Sequence, residues 1–178
     1  MNKEVRLHDK IFELFISHEE IMKVVKNLAA QIEAEIKDIP VFIITLKGAA
    51  NFGMDFAKYF NKNAIFDYIR LKSYDGISAS GKPEVILDVT ENIEGKQVYV
   101  LEDIVDTGNT LETIIQILKA KNPASVKIVA LFFKPEAYKK NYPLDYVGMS
   151  IPNKFIVGYG LDYDELGRNL NDVYQLKQ

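Results

Sequence analysis

The 178-residue sequence contains no cysteine and no tryptophan, and only two histidines. Without cysteine there is no disulfide scaffold, no thiolate nucleophile, no iron–sulfur cluster and no cysteine-based zinc site. His8 and His18 both lie near the N-terminus, too few and too isolated to build an imidazole cage. Any metal must therefore be held by oxygen ligands. Neither charge sign dominates, since 22 Lys+Arg against 25 Asp+Glu give a net charge of −3. No basic block of the kind that grips a phosphate backbone is present, so no nucleic-acid partner is expected. No apolar run approaches the roughly 20 residues of a membrane-spanning helix. The opening MNKEVRLHDK is followed by no signal-peptide core. A soluble, cytoplasmic protein without a membrane partner is the expectation.

A hydrophobic fraction of 48% over this length suits a single domain spanning residues 1–178. Ser17 and Glu20 form an S-x-x-E capping box, after which Ile21, Val24, Val25, Leu28, Ile32 and Ile36 recur at helical spacing. This predicts an amphipathic helix ending near Asp38–Pro40. The run Val41–Leu46 is almost wholly apolar and rich in β-branched residues, the mark of a strand buried on both faces. Further helices are expected over Asn51–Phe60 and Asn109–Lys121. Further strands are expected over Ile65–Leu71, Val85–Leu87, Gln97–Leu101, Val126–Phe133, Tyr146–Ile151 and Phe155–Tyr159. Such alternation implies an α/β fold with a mainly parallel central sheet flanked by helices, whose ligands bind beyond the carboxyl ends of the strands. The small and polar stretch Asp75–Pro83 predicts a mobile loop.

One such strand end carries a dense constellation. The strand Val98–Leu101 runs into Glu102 and Asp103, then Asp106, then the turn Thr107-Gly108-Asn109-Thr110 before a helix. A glycine-bearing turn at a helix start directs backbone N–H groups outward, which suits a phosphate. Carboxylates beside it accept hydrogen bonds from the hydroxyls of a sugar attached to that phosphate. A second motif is a decoy. Gly76–Lys82 satisfies G-x-x-x-x-G-K, but Pro83 stands where a P-loop needs Ser or Thr, and a strand pattern rather than a helix follows.

The acidic segment 102–110 resembles the phosphoribosyl-diphosphate motif of the type I phosphoribosyltransferase family. Leu46-Lys47-Gly48, Ser73-Tyr74, Lys134 and the segment Asn153–Tyr163 are similar to its hypoxanthine-guanine branch. The resemblance covers about residues 40 to 172. It implies the family fold with a small hood built from the terminal segments, a mobile lid loop at about 72–84 and a purine-binding hood segment at about 150–178. It also implies a purine-salvage transferase taking 5-phosphoribosyl 1-diphosphate and a 6-oxopurine base, with Mg²⁺ as cofactor, in a homodimer or homotetramer.

Residue by residue, the resemblance implies that Lys47 and Gly48, at a non-proline cis peptide, hold diphosphate together with Arg168. Glu102 and Asp103 would hold the ribose hydroxyls, and Thr107, Gly108, Asn109 and Thr110 the 5-phosphate. Asp106 would be catalytic, managing the proton at purine N7, while Ser73 and Tyr74 ride on the lid. Phe155 would stack on the purine, the Ile156 carbonyl would accept from its edge, and Glu102, Asp103 and Asp162 would be metal-associated. Lys134 is a donor with no acceptor, so it favours an oxygen at purine position 6 over an amine.

The chain departs from the family pattern after Lys134, where Pro135-Glu136-Ala137-Tyr138 replaces a stretch that often bears an arginine. Two alternatives stand beside this reading. One is a regulatory protein that senses the phosphoribosyl diphosphate, and the other is a transferase for xanthine or another base. Discrimination among hypoxanthine, guanine and xanthine rests largely on backbone carbonyls.

Overall fold

The computed structural model describes residues 3–72 and 84–177. Its elements are β1 (Glu4–Leu7), β2 (Lys10–Ile16), α1 (His18–Glu35), β3 (Val41–Leu46), α2 (Ala50–Tyr59), β4 (Ile65–Lys72), β5 (Glu84–Leu87), β6 (Gln97–Val105), α3 (Asn109–Lys119), β7 (Ser125–Phe133), β8 (Tyr146–Ser150), β9 (Ile156–Val157) and β10 (Val173–Leu176). The larger sheet has the order β5-β4-β3-β6-β7-β8. All its pairings are parallel except the antiparallel β4–β5 pair.

The two-residue period of its central strands decides which helix covers which face. Phe42, Ile44, Tyr99 and Leu101 point to the face packed by α1 and α2, with Ile21, Val25, Leu28, Phe52 and Phe56. Val41, Ile43, Val98 and Val100 point the other way, against Leu111, Ile114 and Leu118 of α3. A strand with helices on both sides can be apolar throughout, which is why β3 and most of β6 read as unbroken hydrophobic runs. The expected capping box opens α1: Glu20 N donates to Ser17 Oγ at 3.3 Å, and Ser17 N donates to Glu20 Oε2 at 2.9 Å.

The second sheet, β1-β2-β10-β9, is antiparallel and joins the two ends of the chain. It has its own small core of Phe12, Val157 and Tyr174. β1, β2 and β10 escape the sequence pattern because they are short and mix charges with apolar residues. β1 pairs with the neighbouring β2, whereas β2 and β10 meet across more than 150 residues of sequence. Two expectations change in detail. β6 continues four residues past Leu101 to Val105, so Glu102 and Asp103 lie on the strand rather than beyond it. The strand expected over Phe155–Tyr159 shortens to Ile156–Val157. Lys72 and Glu84 pair at the base of the expected lid, while Ser73 and Tyr74, with the decoy motif, lie outside the described residues.

Candidate active site

β3 and β6 lie side by side, and their carboxyl ends bring residues 45–48 against residues 102–106. The Leu46–Lys47 peptide bond is cis. A Cβ on Gly48 would fall 1.8 Å from Asp103 Oδ2, so this position admits no side chain while Asp103 keeps its place. Glu102 is buried, and Thr45 Oγ1 lies 2.7 Å from its Oε2 and 3.0 Å from Leu101 O. Burial, reinforced by the neighbouring charge of Asp103 and opposed by the Thr45 hydroxyl, pushes the Glu102 carboxyl up to about 8. One hydroxyl proton cannot serve two acceptors at once. A protonated Glu102 resolves this by donating to Thr45 Oγ1 while Thr45 donates to Leu101 O. Asp103 is also raised, to about 6, chiefly by burial; the Ile104 N–H, 2.9 Å from its Oδ1, and the charge of Arg168 act the other way.

The turn after β6 has the form of an anion site, left open by its own side chains. Gly108, at φ 83°, is the N-cap of α3 and no side chain caps the helix. The first helical bond runs from Glu112 N to Gly108 O at 3.0 Å. The N–H groups of Asn109, Thr110 and Leu111 therefore fall outside the helical ladder. Tyr138 and Lys140 wall the turn. Their Cε2 and Cγ atoms stand 2.6 and 2.8 Å from where a Cβ on Gly108 would be. Lys140 Nζ pairs with Glu112 at 2.6 Å. A cleft of about 230 Å³ is lined by Thr45, Gly48, Glu102, Asp103, Asp106 and residues 107–110. Asp106 meets Lys134 at its edge, Nζ to Oδ2 3.0 Å, and the lysine is only 6% exposed. Desolvating an ammonium is costly without a partner, and Asp106 supplies it.

The remaining expected residues belong to the hood. Arg168 donates to Gly160 O at 2.9 Å and pairs with Asp162 at 2.8 Å and Glu165 at 3.5 Å. Lys47 also pairs with Glu165, at 2.8 Å, and this contact above all holds the Glu165 carboxyl below the usual carboxylate range. The two cations expected to hold diphosphate thus meet through one carboxylate. Phe155 is 46% exposed and leans on Phe12 and Tyr163 rather than on Lys134. Leu176 N donates to Phe155 O at 2.9 Å, with Ile156 opposite Gln175. Antiparallel alternation then directs the Ile156 carbonyl away from β10, at the open edge of the small sheet.

Sequence reasoning missed Thr45, Glu165, and the contacts of His8 and Asp9 with Asp164 and Tyr163. Thr45 had a signal, as the one polar residue in an otherwise apolar strand. The hairpin contacts had none. Among the described residues no three His, Asp or Glu side chains gather closely enough to hold a metal unaided. Glu102, Asp103 and Asp162 are all hard oxygen donors, which fits Mg²⁺ completed by substrate oxygens and water.

The model of a family described as the phosphoribosyl transferase domain matches residues 15–164. Hypoxanthine-guanine phosphoribosyltransferase of Bacillus subtilis (strain 168) is 38% identical over 172 residues, covering 96% of this chain and 95% of the relative. The protein of the same name from Aquifex aeolicus (strain VF5) is 36% identical over 178 residues, covering 98% and 99%. A solved hypoxanthine-guanine phosphoribosyltransferase from Bacillus anthracis superposes with a TM-score of 0.87 at 36% identity, covering 93% of this chain and 98% of that one. No described helix is long and apolar enough to cross a membrane.

Proposed function

Because the chain belongs to the phosphoribosyl transferase domain family, we propose that it transfers the 5-phosphoribosyl group of 5-phosphoribosyl 1-diphosphate to N9 of hypoxanthine or guanine, giving IMP or GMP and diphosphate. The observation that carries this reading is the cleft that joins an uncapped helix start to the carboxyl pair of a buried Glu102 and a half-buried Asp103, with an Asp106–Lys134 pair at its edge. The same reading takes residues 1–178 as one domain, with the lid at about 72–84 and the hood at about 150–178. It also takes the assembly as a cytoplasmic homodimer or homotetramer, which light scattering checks.

In this mechanism the N–H groups of residues 107–110 grip the 5-phosphate, and Glu102 and Asp103 fix the ribose hydroxyls. Binding at two remote points orients the anomeric carbon for attack. Lys47 and Arg168 draw the diphosphate away as positive charge develops on the ribose. Asp106 accepts the purine N7 proton, and its pairing with Lys134 aims the carboxylate. Lys134, released to the base, donates to the oxygen at position 6. Phe155 presents an exposed ring face for stacking, and the Ile156 carbonyl accepts from the base edge. Mg²⁺ held by Glu102, Asp103 or Asp162 with substrate oxygens would offset the charge on the leaving diphosphate.

The test is to incubate the protein with Mg²⁺, 5-phosphoribosyl 1-diphosphate and hypoxanthine, guanine, xanthine or adenine in turn, and to follow diphosphate release. Turnover is expected with hypoxanthine and guanine and not with adenine. No turnover with any base would replace the enzyme by a regulatory sensor of the donor.

A further inference from the structure

We propose that Glu165 is an affinity-setting residue of the diphosphate site: its carboxylate competes with diphosphate for Lys47 and Arg168. The inference rests on the reading that these two cations hold the diphosphate.

The geometry is specific. Lys47 comes from the loop after β3 and Arg168 from the hood, yet Glu165 Oε2 touches both, at 2.8 Å from Lys47 Nζ and 3.5 Å from Arg168 Nη2. An anionic oxygen in contact with both cations is what a diphosphate also has to supply. The donors of Arg168 are unequally committed. Nη1 is given to Gly160 O at 2.9 Å, Nη2 is shared between Asp162 at 2.8 Å and Glu165 at 3.5 Å, and Nε is buried without a partner. The Glu165 contact is the longest of the three, and the Glu165 side chain is 66% exposed. It is therefore the bond that yields most readily, because the departing carboxylate regains water.

Glu165 is not an acid that happens to lie nearby, since its backbone is held on several sides. Asp164 and Glu165 have φ of 47° and 66°, two successive non-glycine residues in the left-handed region. Such a conformation persists only where the surroundings enforce it. Here Glu165 N donates to Asp162 Oδ2 at 2.8 Å, and His8 Nε2 donates to Asp164 O at 3.2 Å. Tyr163 OH donates to Asp9 Oδ1 at 2.9 Å, and Lys10 Nζ lies 4.6 Å from the centre of the same ring. His8 and Asp9, between β1 and β2, and Lys10 at the start of β2 thus brace the turn that aims Glu165 at the two cations.

Competition of this kind weakens diphosphate binding, whether free or carried by the donor, and lets the carboxylate reclaim the cations as product leaves. It makes an unusual forecast, because removing a protein contact should tighten binding. Calorimetric titration with Mg²⁺-diphosphate is compared for the wild type, Glu165→Gln and Glu165→Asp, with Lys47→Gln and Arg168→Gln alongside. Glu165→Gln should bind diphosphate about three- to five-fold more tightly, the range of an exposed ion pair. Its KM for the donor should fall by a similar factor while its KM for hypoxanthine stays constant, and Glu165→Asp should remain near wild type. A purely structural role would give weaker binding. Equal or weaker diphosphate affinity in Glu165→Gln overturns the proposal. If Lys47→Gln and Arg168→Gln bind diphosphate as well as wild type does, the diphosphate reading itself fails and the proposal goes with it.

Discussion

Asp106 and Lys134 show how two residues 28 positions apart hold each other in place. The buried lysine needs a counter-charge, and the aspartate, on the turn before α3, provides it at 3.0 Å. Asp106→Asn keeps the shape and loses the charge. Its kcat should fall about 10²-fold or more, the scale of general acid–base catalysis, with donor binding largely unchanged. Steady-state kinetics and donor titration together check this, and an unchanged kcat removes Asp106 from the proton transfer. Glu102 yields a prediction with a definite sign. Its carboxyl is raised from 4.5 to about 8 in the folded protein, so between those values the folded form holds a proton that the unfolded chain has released. Stability therefore falls as pH rises through that window. Asp103, raised from 3.8 to about 6, adds in the same direction. In chelator, urea unfolding from pH 5 to 9 should show this decline, and Glu102→Gln should flatten it. A wild-type profile that rises over this range would contradict a buried, protonated Glu102. The acids themselves were legible in the sequence. The burial of Glu102 against Thr45 was not, because that partner comes from a different strand.

At the scale of elements, α1 and α3, on opposite faces of the sheet, begin in opposite ways. α1 closes its first turn with a reciprocal Ser17–Glu20 box, whereas α3 starts at Gly108 with no side-chain cap. The first arrangement serves stability, and the second leaves N–H groups for an anion. Ser17→Ala should cost about 1 kcal/mol in urea unfolding and leave the donor KM unaltered. A change in KM with no loss of stability would mean that the cap acts on the site. Sequence periodicity located the start of each helix and the end of α3 to within a residue or two, since each carries its own repeating stripe, but α1 stops at Glu35, short of the expected Asp38–Pro40. It located β3, β6 and β7 for a similar reason, because burial on both faces leaves an apolar run. The end of β6 was misplaced because Glu102 and Asp103 look like a turn. They continue the strand because β7 pairs with it as far as Val105 and Phe133.

Among the described residues the molecule has two sheets, and the small one, made of the chain's two ends, carries its own cluster of Phe12, Val157 and Tyr174 while lending Ile16, Ile156 and Val173 to the larger core. Phe12 is fully buried there and touches both Phe155 and Tyr163. Phe12→Ala should cost about 3 kcal/mol or more. Hydrogen exchange should accelerate first in residues 4–16, 156–157 and 173–176, with β3 and β6 still protected. Uniform acceleration across both sheets would mean a single cooperative core. Length, the absence of cysteine, the alternation of helix and strand, and the acids, turn and helix start of residues 102–110 are properties of neighbouring residues. The sequence alone therefore determined the α/β class and the place of the turn proposed to bind phosphate. The raised carboxyl of Glu102, the pairing of Asp106 with Lys134, the small sheet built from both termini, and the carboxylate of Glu165 between Lys47 and Arg168 arise from contacts between distant segments. Only the tertiary structure decides them, because charge state and partner depend on which groups burial brings within a few ångströms.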